Sequence, residues 1–127
     1  MLAVVDEINA SDIEAIIDRC HEDVVAEPIL ARVEGGAFVG HDGMRRWFAE
    51  RDAAWETIRI EPGEIRRVGR HLVMNGVFHT KARGSGVEIS VPFAQAALVR
   101  DGKVAWWGVY STEDEALDRV ETREAER

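Results

Sequence analysis

The sequence predicts an α+β fold: a curved antiparallel sheet wrapped around helices, a cone-shaped α+β barrel, forming one domain over residues 1–127. Three observations predict it. Apolar residues in the first half recur at helical spacing. From residue 59 the period becomes two, the signature of strands with one buried face. Gly-containing turns then punctuate the chain, and Asp101-Gly102 between two apolar runs is the strongest hairpin signal in it.

The elements follow in order. Val4, Val5 and Ile8 make a short apolar stripe, interrupted by "NASD" at 9–12. Ser11 and Glu14 match a capping box, and Ile13, Ile16, Ile17 and Cys20 then fall at i, i+3, i+4 and i+7 on a second helix. Cys20 on that stripe reads as a small buried hydrophobe and not a nucleophile. "VVAEPILARV" (24–33) is extended, and Pro28 assigns it to an edge or a bulge. "EGG" (34–36) is a turn and "AFV" (37–39) a short return strand. A third helix starts near "GHDG" (40–43). Met44, Trp47, Phe48, Arg51, Trp55 and Ile58 keep a helical period along it, with Arg51 the one polar member. Strands are expected near 58–68, 71–82, 87–100 and 103–111, paired as an antiparallel meander. Thr112 and Glu115 form another capping box before a closing helix with Ala116, Leu117 and Val120 on one side.

Composition excludes several functions. The net charge is −8, and residues 113–127 hold seven acidic residues against three arginines, so half of the excess lies there. The remaining arginines are scattered, which argues against nucleic acid as a partner, since phosphate binding needs a concentrated basic face. No apolar run approaches the ~18 residues of a membrane span. The start lacks a basic n-region, and Cys20 is the sole cysteine, so the expectation is a cytoplasmic protein without an internal disulfide. The four histidines lack H-x-H or H-E-x-x-H spacing, so no metal is expected. "GSG" (84–86) precedes no helix and is no phosphate loop; no cofactor is expected.

The stretches "NASDIEAIIDRCHEDVV", "FVGHDGMRRWF", "GSGVEISVPFAQAALVRDGKV" and "VYSTEDEAL" carry a resemblance to the SnoaL-like branch of the nuclear-transport-factor-2-like superfamily of bacterial proteins. The resemblance implies a hydrophobic pocket inside the cone and dimers that pack their convex sheet faces together. It also implies where an acid/base would stand. Aligned on the hairpin "GK", the last-strand aspartate of the cyclases and epoxide hydrolases falls at Val109. An arginine and a second aspartate fall at Gly76 and Phe78. None of these three can move a proton, so neither mechanism carries over.

Other candidates follow from strand parity. Gln95, Phe93, Trp107 and Val109 are expected on the pocket wall with Phe78, and Trp47 and Trp55 in its roof. Gln95 either contacts ligand or satisfies a buried group; an amide orients a carbonyl but is no general base. Glu27 and His79 are the candidate acid/base residues. Glu27 is set against an edge carboxylate in water, and His79 against a convex-face residue. His21 and His41 read as helix-end residues and His71 as a turn residue. Neighbouring strand residues face opposite ways, so Trp107 inward puts Trp106 outward, beside Tyr110. A homodimer would cover that patch; a folded-back C-terminal helix is the alternative. The expected function is a pocket protein for a small hydrophobic ligand, polyketide-, steroid- or terpenoid-like. The alternatives are an isomerase/cyclase or hydrolase using other pocket residues, or a non-catalytic dimerisation module.

Overall fold

The computed structural model describes residues 6, 7, 9, 10, 12–28 and 37–126. The stripe at Val4, Val5 and Ile8, the cap at Ser11 and the turn at 34–36 lie outside the described residues. Helix α1 spans Ile13–Asp18, and the Asp12 side chain caps it, accepting from Ala15 N at 3.2 Å. Strand β1 (Cys20–Glu27), strand β2 (Phe38–Val39), helix α2 (Gly40–Ala54), strand β3 (Trp55–Val68), strand β4 (His71–Ala82), strand β5 (Glu88–Arg100), strand β6 (Lys103–Tyr110) and helix α3 (Glu113–Ala125) complete the chain. The six strands form one curved, unclosed sheet in the order β2-β1-β6-β5-β4-β3.

The long strands are where the period-two stretches and turns put them. At the β5–β6 turn Asp101 (φ 54°) and Gly102 (φ 78°) are both left-handed, as a tight hairpin turn requires. Three elements differ from expectation. α1 ends at Asp18, and Cys20 opens β1 instead of closing the helix. β1 is an interior strand, antiparallel to β2 and parallel to β6. Pro28 stands just past its last residue, so it removes no donor from the ladder. α2 stops at Ala54, because Trp55 is already extended (φ −121°, ψ 130°) and the β-branched run after it pairs with β4.

Both faces of the middle of the sheet are buried. On the concave face α2 lays Met44, Trp47 and Phe48, with Ile16 and Ile17 of α1, against Val24, Ala26, Met74, Phe93 and Trp107. On the convex face α3 lays Ala116 and Val120 over Val73, Ala94, Ala96, Trp106 and Tyr110. The small side chains of Ala94, Ala96 and Ala116 let helix and sheet approach around the two large rings. A near-continuous apolar run such as "FAQAALV" is the pattern of a strand covered on both sides.

The convex layer corrects the dimer surface expected from the sequence. Trp106 is 2% exposed and Tyr110 is wholly buried within one chain. The chain's own C-terminal helix covers them, so neither is available as a subunit contact. α3 is pinned along its length. Thr112 caps it, accepting from Glu115 N at 3.2 Å. Arg119 binds Glu27 through two nitrogens at 3.1 and 3.2 Å, and Arg123 lies 4.2 Å from the Trp106 ring centroid. Glu124 accepts from Arg70 N at 2.8 Å and from the His71 ring at 2.5 Å. His71, the residue that follows the β3–β4 turn, is fully buried beneath this helix.

Candidate functional site

β4 and β5 pair residue for residue from His71↔Leu98 to Lys81↔Glu88, with no bulge to change parity. Met74, Gly76 and Phe78 therefore share the concave face with Phe93, Gln95 and Ala97. Val109 and Trp107 join them from β6, since Val109 pairs with Gln95 and Trp107 with Ala97. The residues that the sequence places on the pocket wall thus do come together on one face.

They come together as packing. Trp107 Nε1 donates to Gln95 Oε1 at 2.8 Å, and Gln95 Nε2 points at Met74 Sδ 3.9 Å away. Gln95 is 2% exposed. Its amide oxygen is spent on an indole that would otherwise be an unpaired buried donor. Trp47 meets Trp107 edge-on with centroids 5.1 Å apart and stacks on Phe48 at 4.9 Å; Phe78 and Phe93 meet at 5.8 Å. The deep end of the cone is filled by these side chains.

Open space lies nearer the mouth. A cavity of about 200 Å³ opens between α1, the C-terminal turn of α2 and the start of β3. Phe48, Trp55, Ile58 and Ile13 form one apolar wall, and Arg51, Asp52, Glu56 and Thr57 supply the larger, polar part of the lining. Asn9 also lines it, but its amide is engaged with both backbone groups of Ile60, at 2.7 and 3.0 Å. Arg51 is one turn after Trp47 and Phe48 on the same helix face. Its guanidinium carbon lies 4.9 Å from the Phe48 ring centroid and 5.8 Å from that of Trp47. Burial pushes its pKa down to about 10, against the pull of Asp52, so it still carries its charge at neutral pH. Among the described residues no carboxylate comes within ion-pairing distance of it.

A second, wider groove of about 500 Å³ lies where α3 begins, between Asn75, Val77, Pro92, Phe93 and Thr112. Asn75 and Glu113 in it are already partnered. Asn75 donates to Glu113 at 2.8 Å and accepts from Glu64 N at 2.9 Å, and Arg66 pairs with Glu113.

The two acid/base candidates stand on the other side of the sheet from the mouth cavity. Glu27 pairs with Gly108 in register, faces α3 and is held by Arg119. His79 pairs with Ser90, binds its Oγ through Nδ1 at 2.7 Å and lies 3.7 Å from Glu61. His21 and His41 cap no helix; their Nε2 atoms meet the backbone oxygens of Arg100 and Cys20. Among the described residues no group of three His, Cys, Asp or Glu is arranged to hold a metal ion. Sequence reasoning missed two features. Arg51 stood out as the polar member of an apolar stripe, a signal that marked it. The His71–Glu124–Arg123 cluster joins residues fifty apart, and no local pattern announces it.

A family model described as the SnoaL-like domain matches residues 1–107. The chain belongs to that family. Solved structures of the same fold agree. One is TerC co-crystallised with polyporic acid, at 23% identity and a TM-score of 0.77 over 92% of this chain and 94% of that one. Another is a protein with a ketosteroid isomerase-like fold from Catenulispora acidiphila, in complex with trimethylamine, at 18% identity and 0.74 over 90% and 85%. A third is the epoxide hydrolase/cyclase-like enzyme SalBIII of salinomycin pyran-ring formation, at 16% and 0.74 over 87% and 86%. At these identities the likeness is one of fold. No curated protein matches the chain. Among the described residues, no helix of this SnoaL-like chain is long and apolar enough to cross a membrane.

Proposed function

We infer that this SnoaL-like protein binds a small hydrophobic molecule at the mouth of its cone. The observation that carries this reading is the 200 Å³ cavity walled by Phe48, Trp55, Ile58 and Ile13. Polar groups make up the larger share of its lining, and the four apolar side chains form one wall against which a ring can lie. The volume lies below the roughly 300–1,000 Å³ of drug-sized pockets, so the cavity suits one ring system of a polyketide- or terpenoid-like compound better than a whole steroid. Family membership supports the reading, and the solved structures of the same fold include an enzyme of pyran-ring formation in a polyether. Binding without turnover fits best, since Val109, Gly76 and Phe78 offer no proton-transfer group and Glu27 and His79 face away.

A second reading has one observation in its favour. The filled cone, with Trp47, Phe48, Phe93 and Trp107 in contact, suits a non-catalytic interaction module. A homodimer of such a module would use another surface than Trp106 and Tyr110. The half of β5 that extends beyond β6, with Val87, Ile89 and Val91 exposed around it, is an apolar surface of the described residues that it could use.

A thermal-shift panel of small ring compounds separates the two. A ligand of the native state raises the melting temperature by mass action, in proportion to the logarithm of its concentration. The pocket reading expects such a rise together with a change in tryptophan emission, because Trp55 lines the cavity. A panel without either response, with a concentration-dependent sedimentation coefficient, rejects it in favour of the module.

A further inference from the structure

The inference deepens the pocket reading and rests on it. Three features of the mouth converge on one side chain. Arg51 is half-buried at the cavity rim, its guanidinium lies over Phe48 and Trp47, and no carboxylate of the described residues pairs with it. Taking a charge out of water without a partner is costly, and cation–π contact returns only part of that cost. The other charges at the rim, Asp52 and Glu56, work against an anion, but neither closes an ion pair on the guanidinium. Glu56 is drawn to Lys81, 3.7 Å away. Asp52 follows Arg51 directly on the helix, where neighbouring side chains diverge by about a quarter turn, and the two form no ion pair.

We propose that the cavity selects a ring compound bearing a carboxylate, with the ring against Phe48, Trp55 and Ile58 and the carboxylate on the Arg51 guanidinium. A guanidinium presents its donors as a planar fork that matches a carboxylate with two parallel hydrogen bonds. Stacking on two aromatic rings holds that fork at a fixed angle, so little side-chain freedom is lost on binding. The apolar wall and the cation are adjacent, so one small amphiphilic acid reaches both. The other face of the sheet has cations as well, but Arg119 and Arg66 there already hold Glu27 and Glu113. Arg51, at the mouth cavity, has no such ion-pair partner among the described residues.

The test compares phenylacetate with its neutral isostere phenylacetamide by calorimetry on the full chain, at low ionic strength. Wild-type protein is expected to bind phenylacetate about ten- to hundredfold more tightly, the factor a charge-assisted pair contributes. Arg51→Met, which keeps an apolar stem over the rings, is expected to erase that preference while still binding the amide. Arg51→Lys is expected to restore part of it, which guards against a folding defect in the first variant. Equal affinities for acid and amide in the wild type overturn the anion site and leave the pocket reading standing. A preference that survives Arg51→Met also overturns it, since another group would then hold the acid. Binding of neither probe counts against the pocket and the anion site together.

Discussion

Gln95 and Trp107 close the deep end of the cone on each other, the indole nitrogen donating to the amide oxygen at 2.8 Å with both side chains almost wholly buried. A pair of this kind fixes which way each side chain turns, and so fixes how far the cavity extends. Replacing Gln95 with Leu strands the indole N–H away from water. The expected loss is about 1–3 kcal/mol of unfolding free energy, read from urea denaturation. Affinity for ligands of the mouth cavity is expected to change less than about twofold, because Gln95 does not line it. Intact stability together with lost ligand affinity would reverse these roles.

Trp106 makes the matching test on the opposite face. Trp106→Ala leaves a void beneath α3 and is expected to cost about 3–5 kcal/mol. Sedimentation of the variant is expected to match that of the wild type. A change in association state at unchanged stability would instead identify Trp106 as a subunit contact.

The cluster around His71 predicts a pH dependence. Arg123 Nε donates to His71 Nε2 at 3.0 Å, so that nitrogen accepts and Nδ1 carries the proton shared with Glu124. Burial, aided by Arg123 and Arg70, holds the His71 pKa below its ordinary 6.5, against the pull of Glu124. The unfolded chain therefore takes up a proton first as the pH falls. Stability is complete above pH 6.5 and is lost on acidification through the folded-state pKa. Glu124, lowered from 4.5 by the Arg70 backbone and by His71, adds a loss in the same direction at lower pH. The urea midpoint is expected to fall between about pH 7.5 and about pH 5.5, and to fall less in His71→Asn. Identical slopes in both proteins would remove His71 from the account.

Cys20 predicts a silent thiol. It is 1% exposed, its Sγ donates to Ile16 O at 3.4 Å, and burial pushes its pKa up to about 11. Since the thiolate is the reactive form, native protein at neutral pH is expected to resist a disulfide-exchange reagent that titrates one thiol after denaturation. Prompt labelling of the native chain would contradict the packing of α1 on β1.

Much of this was legible in the sequence because it is local. The period of two after residue 59, the Asp101-Gly102 turn and the Thr112 cap each involve near neighbours, and each stands where expected. Cys20 and Trp55 went to strands because long-range pairing with β6 and β4 outweighed a helical spacing. The side of the sheet on which Phe93, Gln95 and Trp107 gather followed from parity alone, but whether they enclose space or fill it depends on side-chain volumes across five elements. Glu27 illustrates the same limit. Its strand was readable, yet its partner Arg119 lies 92 residues away in sequence.

The stretch matched by the family model ends at residue 107, five residues before the cap of α3. A fragment trimmed to that boundary would lose the last three residues of β6, Val109 opposite Gln95 among them, and strip the roof from the indole at 106. A fragment that keeps this back covered therefore has to include α3 as far as Ala125. Surveys that delimit such domains by family match alone would assay a molecule with its back uncovered.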